Sequence, residues 1–170
     1  MSEQKQVYNF SYGSNMATAR LFARLPNARL IGAAHLDNWK LTFRMHSTDG
    51  SAKCDIEKAQ GERVFGMVYA LTEAEKRILD DIEGERYDCV DIRVSFQDGR
   101  SFNAFAYVAN THDDSLKPYP WYLNHVIQGA IEANVPEFYL SMIKATLVQE
   151  DLDDARAARE WSLYKTINRA

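Results

Sequence analysis

The chain has 170 residues, enough for one domain to bury most of an apolar core unaided. Hydrophobic residues at 46% and charged residues at 26% match a packed globular protein and argue against a disordered or fibrous one. Twenty basic residues against 24 acidic ones give a net charge of -4 with no dense lysine or arginine block, which argues against a nucleic-acid partner.

The first ten residues, Met1 to Phe10, are polar and then strand-like. They lack the charged-then-apolar pattern of a secretory signal, and no apolar run reaches membrane-spanning length. The expectation is a cytoplasmic protein with no membrane partner. Val7 to Tyr12 reads as a strand stopping at Gly13, and Met16 to Leu25 as a short helix closed by Pro26. Ala28 to Ala34 and Trp39 to Met45 read as two strands joined by the polar His35 to Asn38. His46 to Gln60 reads as an exposed loop with a brief strand near Cys54 to Glu57.

Val64 to Leu71 is an apolar run interrupted by Gly66, as in a buried strand whose backbone lies close to another element. Thr72 and Glu75 form a capping box for a helix that turns Ile78, Leu79 and Ile82 inward and ends at Gly84. Glu83 falls in its last turn. Val90 to Phe96 and Ser101 to Val108, joined by Gln97-Asp98-Gly99-Arg100, form a hairpin. Trp121 to Asn134 carries Trp121, Val126, Ile127, Ala130 and Ile131 on one helical face, and Pro136 opens another helix to Leu147. Asp151 to Ala170 reads as a terminal helix docked on the body. Roughly seven strands, clustered early, and four helices, clustered late, make an α+β pattern in a single domain, residues 1–170.

Several residue types invite chemistry. Cys54 and Cys89 lie far apart without CxxC spacing and read as reduced. His35, His46, His112 and His125 show no ligand spacing, so no metal is expected. The turn Tyr12-Gly13-Ser14-Asn15 offers close backbone approach and unpaired N–H groups suited to a carboxylate or an oxyanion, or else it simply caps the next helix. Tyr119, Trp121 and Tyr122 cluster near Pro118 and Pro120, as core packing or as a pocket wall.

The segment Tyr8 to Met16, YNFSYGSNM, resembles the YGSN turn of the γ-glutamylcyclotransferase, or AIG2-like, family. The likeness continues in order through Val64 to Tyr69 (VFGMVY), Leu79 to Gly84 (LDDIEG) followed by Tyr87, and Pro136 to Tyr139 (PEFY), and so covers most of residues 7–147. The resemblance implies a mixed β-barrel with flanking helices. It also implies conversion of a γ-glutamyl amide to 5-oxoproline and a free amine, without a cofactor, on a small-molecule γ-glutamyl substrate. The substrate's α-amine is the nucleophile, so the protein needs one proton carrier.

By position, Glu83 matches the family's catalytic glutamate, with Ile82 and Phe65 as the apolar neighbours expected to raise its pKa. Tyr12, Gly13, Ser14 and Asn15, with Tyr87 and Tyr139, match residues near the substrate. Asn15 stands where the glutathione-specific branch carries leucine, which points away from intact glutathione. The short Glu83 to Tyr87 spacing, with Glu85 and Arg86, points to a distinct leaving-group pocket. Cyclising removal of a γ-glutamyl protecting group and noncatalytic γ-glutamyl binding stay open, as does the oligomeric state.

Overall fold

The computed structural model describes residues 5–164. In chain order its elements are β1 (Gln6–Ser11), a 3-10 turn (Ser14–Met16), α1 (Thr18–Arg24), β2 (Arg29–His46), β3 (Ala52–Thr72), α2 (Glu73–Glu83), β4 (Tyr87–Phe96), β5 (Ser101–Ala109), α3 (Pro120–Glu132), α4 (Glu137–Lys144) and α5 (Asp154–Ser162). The strands close into a barrel in the order β1-β3-β2-β4-β5. Every pairing is antiparallel except that of β1 with β5, which meet in parallel at Asn9 and Phe105. The barrel is therefore mixed, and helices flank it, as the resemblance implies.

Five strands stand where seven were expected, because two expected breaks are continuous strand. At His35 to Asn38 the chain makes a bulge: Asp37 pairs with Arg63 and Trp39 with Lys58. Asn38 takes φ 65° there and accepts the Gly61 N–H at 3.1 Å. The stretch His46 to Gln60, expected as a loop with a brief strand near Cys54 to Glu57, holds that strand and extends it, being strand from Ala52 onward. Its polar side chains pair across the ladder, with Lys40 and Arg44 each 2.8 Å from Glu57 and Arg63 2.7 Å from Asp37. Such pairs hold a strand without an apolar alternation, so a hydrophobicity pattern does not reveal it.

Local chemistry sets the other elements. Thr72 and Glu75 make both bonds of the capping box, and the Asp98-Gly99 turn joins β4 to β5 with Gly99 at φ 87°. Of the α2 residues expected inside, Leu79 is fully buried, while Ile78 and Ile82 are largely exposed. On α3, Trp121, Tyr122, Val126 and Ala130 are buried and Ile131 is exposed. The expected terminal helix is α5, shorter than 151–170, and residues 165–170 lie outside the described residues. No helix among the described residues is long and apolar enough to cross a membrane.

The core joins the barrel interior to α1, α3 and α4, with Phe10, Met16, Leu21, Val68, Tyr69, Val126 and Ile143 almost fully buried. Tyr69 ties barrel to turn by donating its hydroxyl to the Met16 carbonyl at 3.0 Å. Gly66 explains the interruption noted in its strand: a Cβ there would lie 2.4 Å from the Ser11 carbonyl and 2.7 Å from the Phe10 ring. Gly66→Ala must push β3 off β1, at an expected loss of about 3 kcal/mol. Thermal unfolding would report it as a Tm lowered by roughly 6–12 °C, and an unchanged Tm would contradict this contact.

Candidate active site

Because β1 and β5 run parallel and β4 runs against β5, the ends of β1 and β5 share one barrel rim with the start of β4. The chain leaves β1 at this rim through Tyr12 and Gly13, and α2 ends there at Glu83. Between them lies a cavity of about 370 Å³ of atom-free space, mouth included, lined by the Tyr12 to Asn15 turn, Cys54, Glu83, Tyr87, Tyr107 and Tyr122. Tyr12, Gly13, Ser14, Asn15, Glu83 and Tyr87 are thus brought together. Tyr139 is not: it is buried edge-on against Phe65, ring centroids 4.9 Å apart, with its hydroxyl unpartnered among the described residues.

Gly13 is needed at the turn for space. A Cβ would sit 2.9 Å from Cys54 Cβ and 3.3 Å from the Tyr122 hydroxyl. The Met16 and Ala17 amides close the turn onto the Gly13 and Ser14 carbonyls. The N–H groups of Gly13, Ser14 and Asn15 donate to no group among the described residues. Three unpaired amides on a cavity wall make a ready receptor for a carboxylate.

Glu83 is half-buried as a residue, and its carboxyl group lies deep enough that burial raises its pKa. Arg24, Arg20 and the hydrogen bond from Asn15 act in the opposite sense without cancelling the rise. The group's surroundings are not the expected Ile82 and Phe65. Ile82 is exposed, Phe65 packs on Tyr139, and tyrosines of the rim take their place.

Asn15 Nδ2 donates to Glu83 Oε1 at 3.0 Å, and Arg24 Nη1 donates to Asn15 Oδ1 at 3.2 Å. A guanidinium can only donate and a carboxylate only accept, so these neighbours fix which way the amide faces. Burial lowers the Arg24 pKa to about 10, which leaves it charged near neutrality. Arg24→Gln is expected to raise the Glu83 pKa further, since a cation that favours the carboxylate is gone, and an NMR titration of the Glu83 carboxyl reads the change. A pKa that stays in place would show that Arg24 does not act on Glu83.

The tyrosines are neutral donors. Burial pushes the pKa of Tyr12, Tyr87 and Tyr122 well above the ordinary value. Tyr12 donates to the Tyr107 carbonyl and Tyr87 to the Cys54 carbonyl, the latter at 2.6 Å. Tyr122 instead accepts the Cys54 N–H at 2.9 Å, leaving its own proton free of any backbone acceptor. Tyr122 is thus the phenol whose proton has no backbone acceptor and faces only the weakly accepting Cys54 sulfur, and only its place in an aromatic cluster marked it in the sequence. Cys54 is a free thiol raised to about 12 by burial, unsuited to nucleophilic attack.

Beside the cavity, and sharing Ser14, Glu83, Tyr87 and Tyr122 with it, runs a wider groove lined also by Lys53, Glu85 and Arg86. Lys53 is paired with Asp49 at 2.7 Å and lies 4.5 Å from the Trp121 and Tyr122 ring centres. Burial lowers its pKa to about 8. Among the described residues no group of three or more His, Cys, Asp or Glu is placed to hold a metal ion.

Such a site, a carboxyl of raised pKa facing unpaired amides, can move a proton for a substrate held by its own carboxylate. The model of the AIG2-like family matches residues 63–143. A Mus musculus protein named γ-glutamylcyclotransferase is 30% identical over 144 residues, covering 80% of this chain and 76% of its own. Its Homo sapiens namesake is 28% identical over 151 residues, covering 84% and 80%. A solved γ-glutamyl cyclotransferase structure shares the fold at TM-score 0.81 and 22% identity, covering 91% of this chain and 99% of that one. The chain belongs to the γ-glutamylcyclotransferase family of enzymes.

Proposed function

We propose that the protein cyclises γ-glutamyl amides to 5-oxoproline and a free amine, with Glu83 as general base and then general acid. The observation that carries this reading is the juxtaposition of Glu83 with the turn: Asn15, adjoining the unpaired amides, is 3.0 Å from the Glu83 carboxylate. The α-carboxylate of the substrate lies on the Gly13 to Asn15 amides, which sets its α-nitrogen toward Glu83.

Glu83 takes a proton from the α-ammonium, and the freed nitrogen lone pair attacks the γ-carbon. As the tetrahedral centre collapses, Glu83 returns a proton to the departing nitrogen and the γ-amide C–N bond breaks. The second proton of the attacking nitrogen, left on the ring by the attack, passes through Glu83 to the released amine, which departs as an ammonium, so atoms and charge balance with no further reactant. A carboxyl of raised pKa suits both steps, because it is basic enough to accept and acidic enough to return. Tyr122 turns its proton from the Cys54 sulfur, a weak acceptor, to the γ-carbonyl oxygen as negative charge develops there. Tyr12 and Tyr87 hold the wall through their carbonyl bonds. Tyr139 acts at a distance, by packing Phe65.

The leaving amine faces the groove of Lys53, Glu85 and Arg86, in keeping with the distinct pocket that the short Glu83 to Tyr87 spacing suggested. Purified protein incubated with a panel of γ-glutamyl amino acids and γ-glutamyl amines tests the reading. Release of 5-oxoproline from at least one member is expected. Binding of γ-glutamyl compounds without release from any would overturn catalysis in favour of a binding protein.

A further inference from the structure

We propose that Glu160, on α5, is a positioning residue for the substrate turn, acting through Arg20 on Ser14. The inference rests on reading that turn as the substrate's grip.

Arg20 is buried on α1. Its Nε donates to Ser14 Oγ at 3.0 Å and its Nη1 to Glu160 Oε2 at 2.7 Å. Guanidinium nitrogens are rigidly spaced in one plane, so anchoring Nη1 decides where Nε points. The anchor is itself held. His125, fully buried on α3, places Nε2 2.8 Å from the same Glu160 oxygen and Nδ1 against the Tyr164 hydroxyl.

Burial lowers the His125 pKa to about 4, so its ring is neutral near pH 7. Burial works to raise the Glu160 pKa, yet the His125 bond and the Arg20 charge hold it below the ordinary value. Arg20 Nη1 also lies 3.2 Å from Nε2, but the nearer carboxylate, which can only accept, takes the Nε2 proton, and this leaves Nδ1 to accept from Tyr164. Every group in this chain has its partner, and its far end is the hydroxyl of the residue between Gly13 and Asn15. A clamp serving only to fasten α5 would need Arg20 and Glu160 but no bond to Ser14.

Two variants and two readouts test this. Glu160→Gln keeps the size of the side chain and removes its charge. Arg20→Lys keeps an ion pair with Glu160 but cannot serve Ser14 at the same time. In both, hydrogen exchange at the Met16 and Ala17 amides, which close the turn, is expected to accelerate about tenfold, while barrel amides such as Val68 keep their rates. With a γ-glutamyl substrate, KM is expected to rise about tenfold and kcat to change by less than about twofold, the pattern of lost ground-state binding. In a Ser14→Ala background, Glu160→Gln is expected to add little to KM.

Exchange and KM at wild-type values in both variants would overturn the proposal, as would a KM effect of Glu160→Gln that adds in full to that of Ser14→Ala. If the wild-type protein releases no 5-oxoproline, the functional reading fails by itself, and the exchange rates still decide whether Glu160 orders the turn.

Discussion

Glu83→Gln is expected to lower kcat for 5-oxoproline release by about 10³-fold while the Kd for a γ-glutamyl ligand stays within about threefold. Glutamine keeps the shape of the side chain and can still accept the Asn15 amide proton at its oxygen, so the cavity keeps its form. What goes is the ability to take a proton from the α-ammonium and return one to the leaving nitrogen. A comparable fall in binding would mean that Glu83 serves to hold the substrate. Unchanged kcat would mean that the proton moves by another route.

The same variant carries a stability signature of determinate sign. Burial raises the folded-state pKa of Glu83 above the ordinary 4.5. Between those two values the native state binds more protons than the unfolded chain, so the contribution of this group to stability is present at acidic pH and is lost as pH rises through the window. Glutamine has no charge to bury. The Tm of Glu83→Gln minus that of the wild type is therefore expected to increase from about pH 4 toward neutrality. A difference independent of pH would contradict a raised pKa.

Gly13→Ala is expected to cost about 100-fold in kcat/KM, with far less effect on the fold. The added methyl would lie 2.9 Å from Cys54 Cβ and 3.3 Å from the Tyr122 hydroxyl, neither of which is the loose end of a flexible side chain. The turn must back away by a few tenths of an ångström or more. Its amides then no longer meet the substrate carboxylate in the geometry that aims the α-nitrogen, and small misplacements of this kind are expensive in rate. Near-wild-type kinetics in Gly13→Ala would show that the turn is not the substrate's support.

Features written in short-range chemistry were legible in the sequence. The Thr72 to Glu75 box, the Asp98-Gly99 turn and the gap left by Gly66 each depend on a few adjacent residues or on one missing side chain. The turn at Tyr12 to Asn15 and the glutamate at position 83 could be marked as candidates through the family's motif order, although 68 positions separate Asn15 from Glu83. Other features depend on contacts that no local pattern carries. No local pattern marks Arg20 or Arg24, yet they hydrogen-bond the turn residues Ser14 and Asn15. Tyr122 reaches the cavity because α3 packs against the turn, and His125 is buried beside Glu160 because α5 folds back onto α3. Lys40 and Arg44 fall in one expected strand and Glu57 in a brief one, but nothing local shows that both bases find Glu57 across the same ladder.

The central claim is that one cavity holds the γ-glutamyl group with its α-nitrogen between the γ-carbon and the Glu83 carboxyl. A crystal structure of Glu83→Gln bound to a γ-glutamyl amino acid measures this directly. The account predicts the α-carboxylate within about 3 Å of the Gly13 to Asn15 amides and the α-nitrogen about 3–3.5 Å from the γ-carbon, on the side of residue 83. A γ-glutamyl group bound elsewhere, or bound here with its α-nitrogen turned away from residue 83, would contradict it.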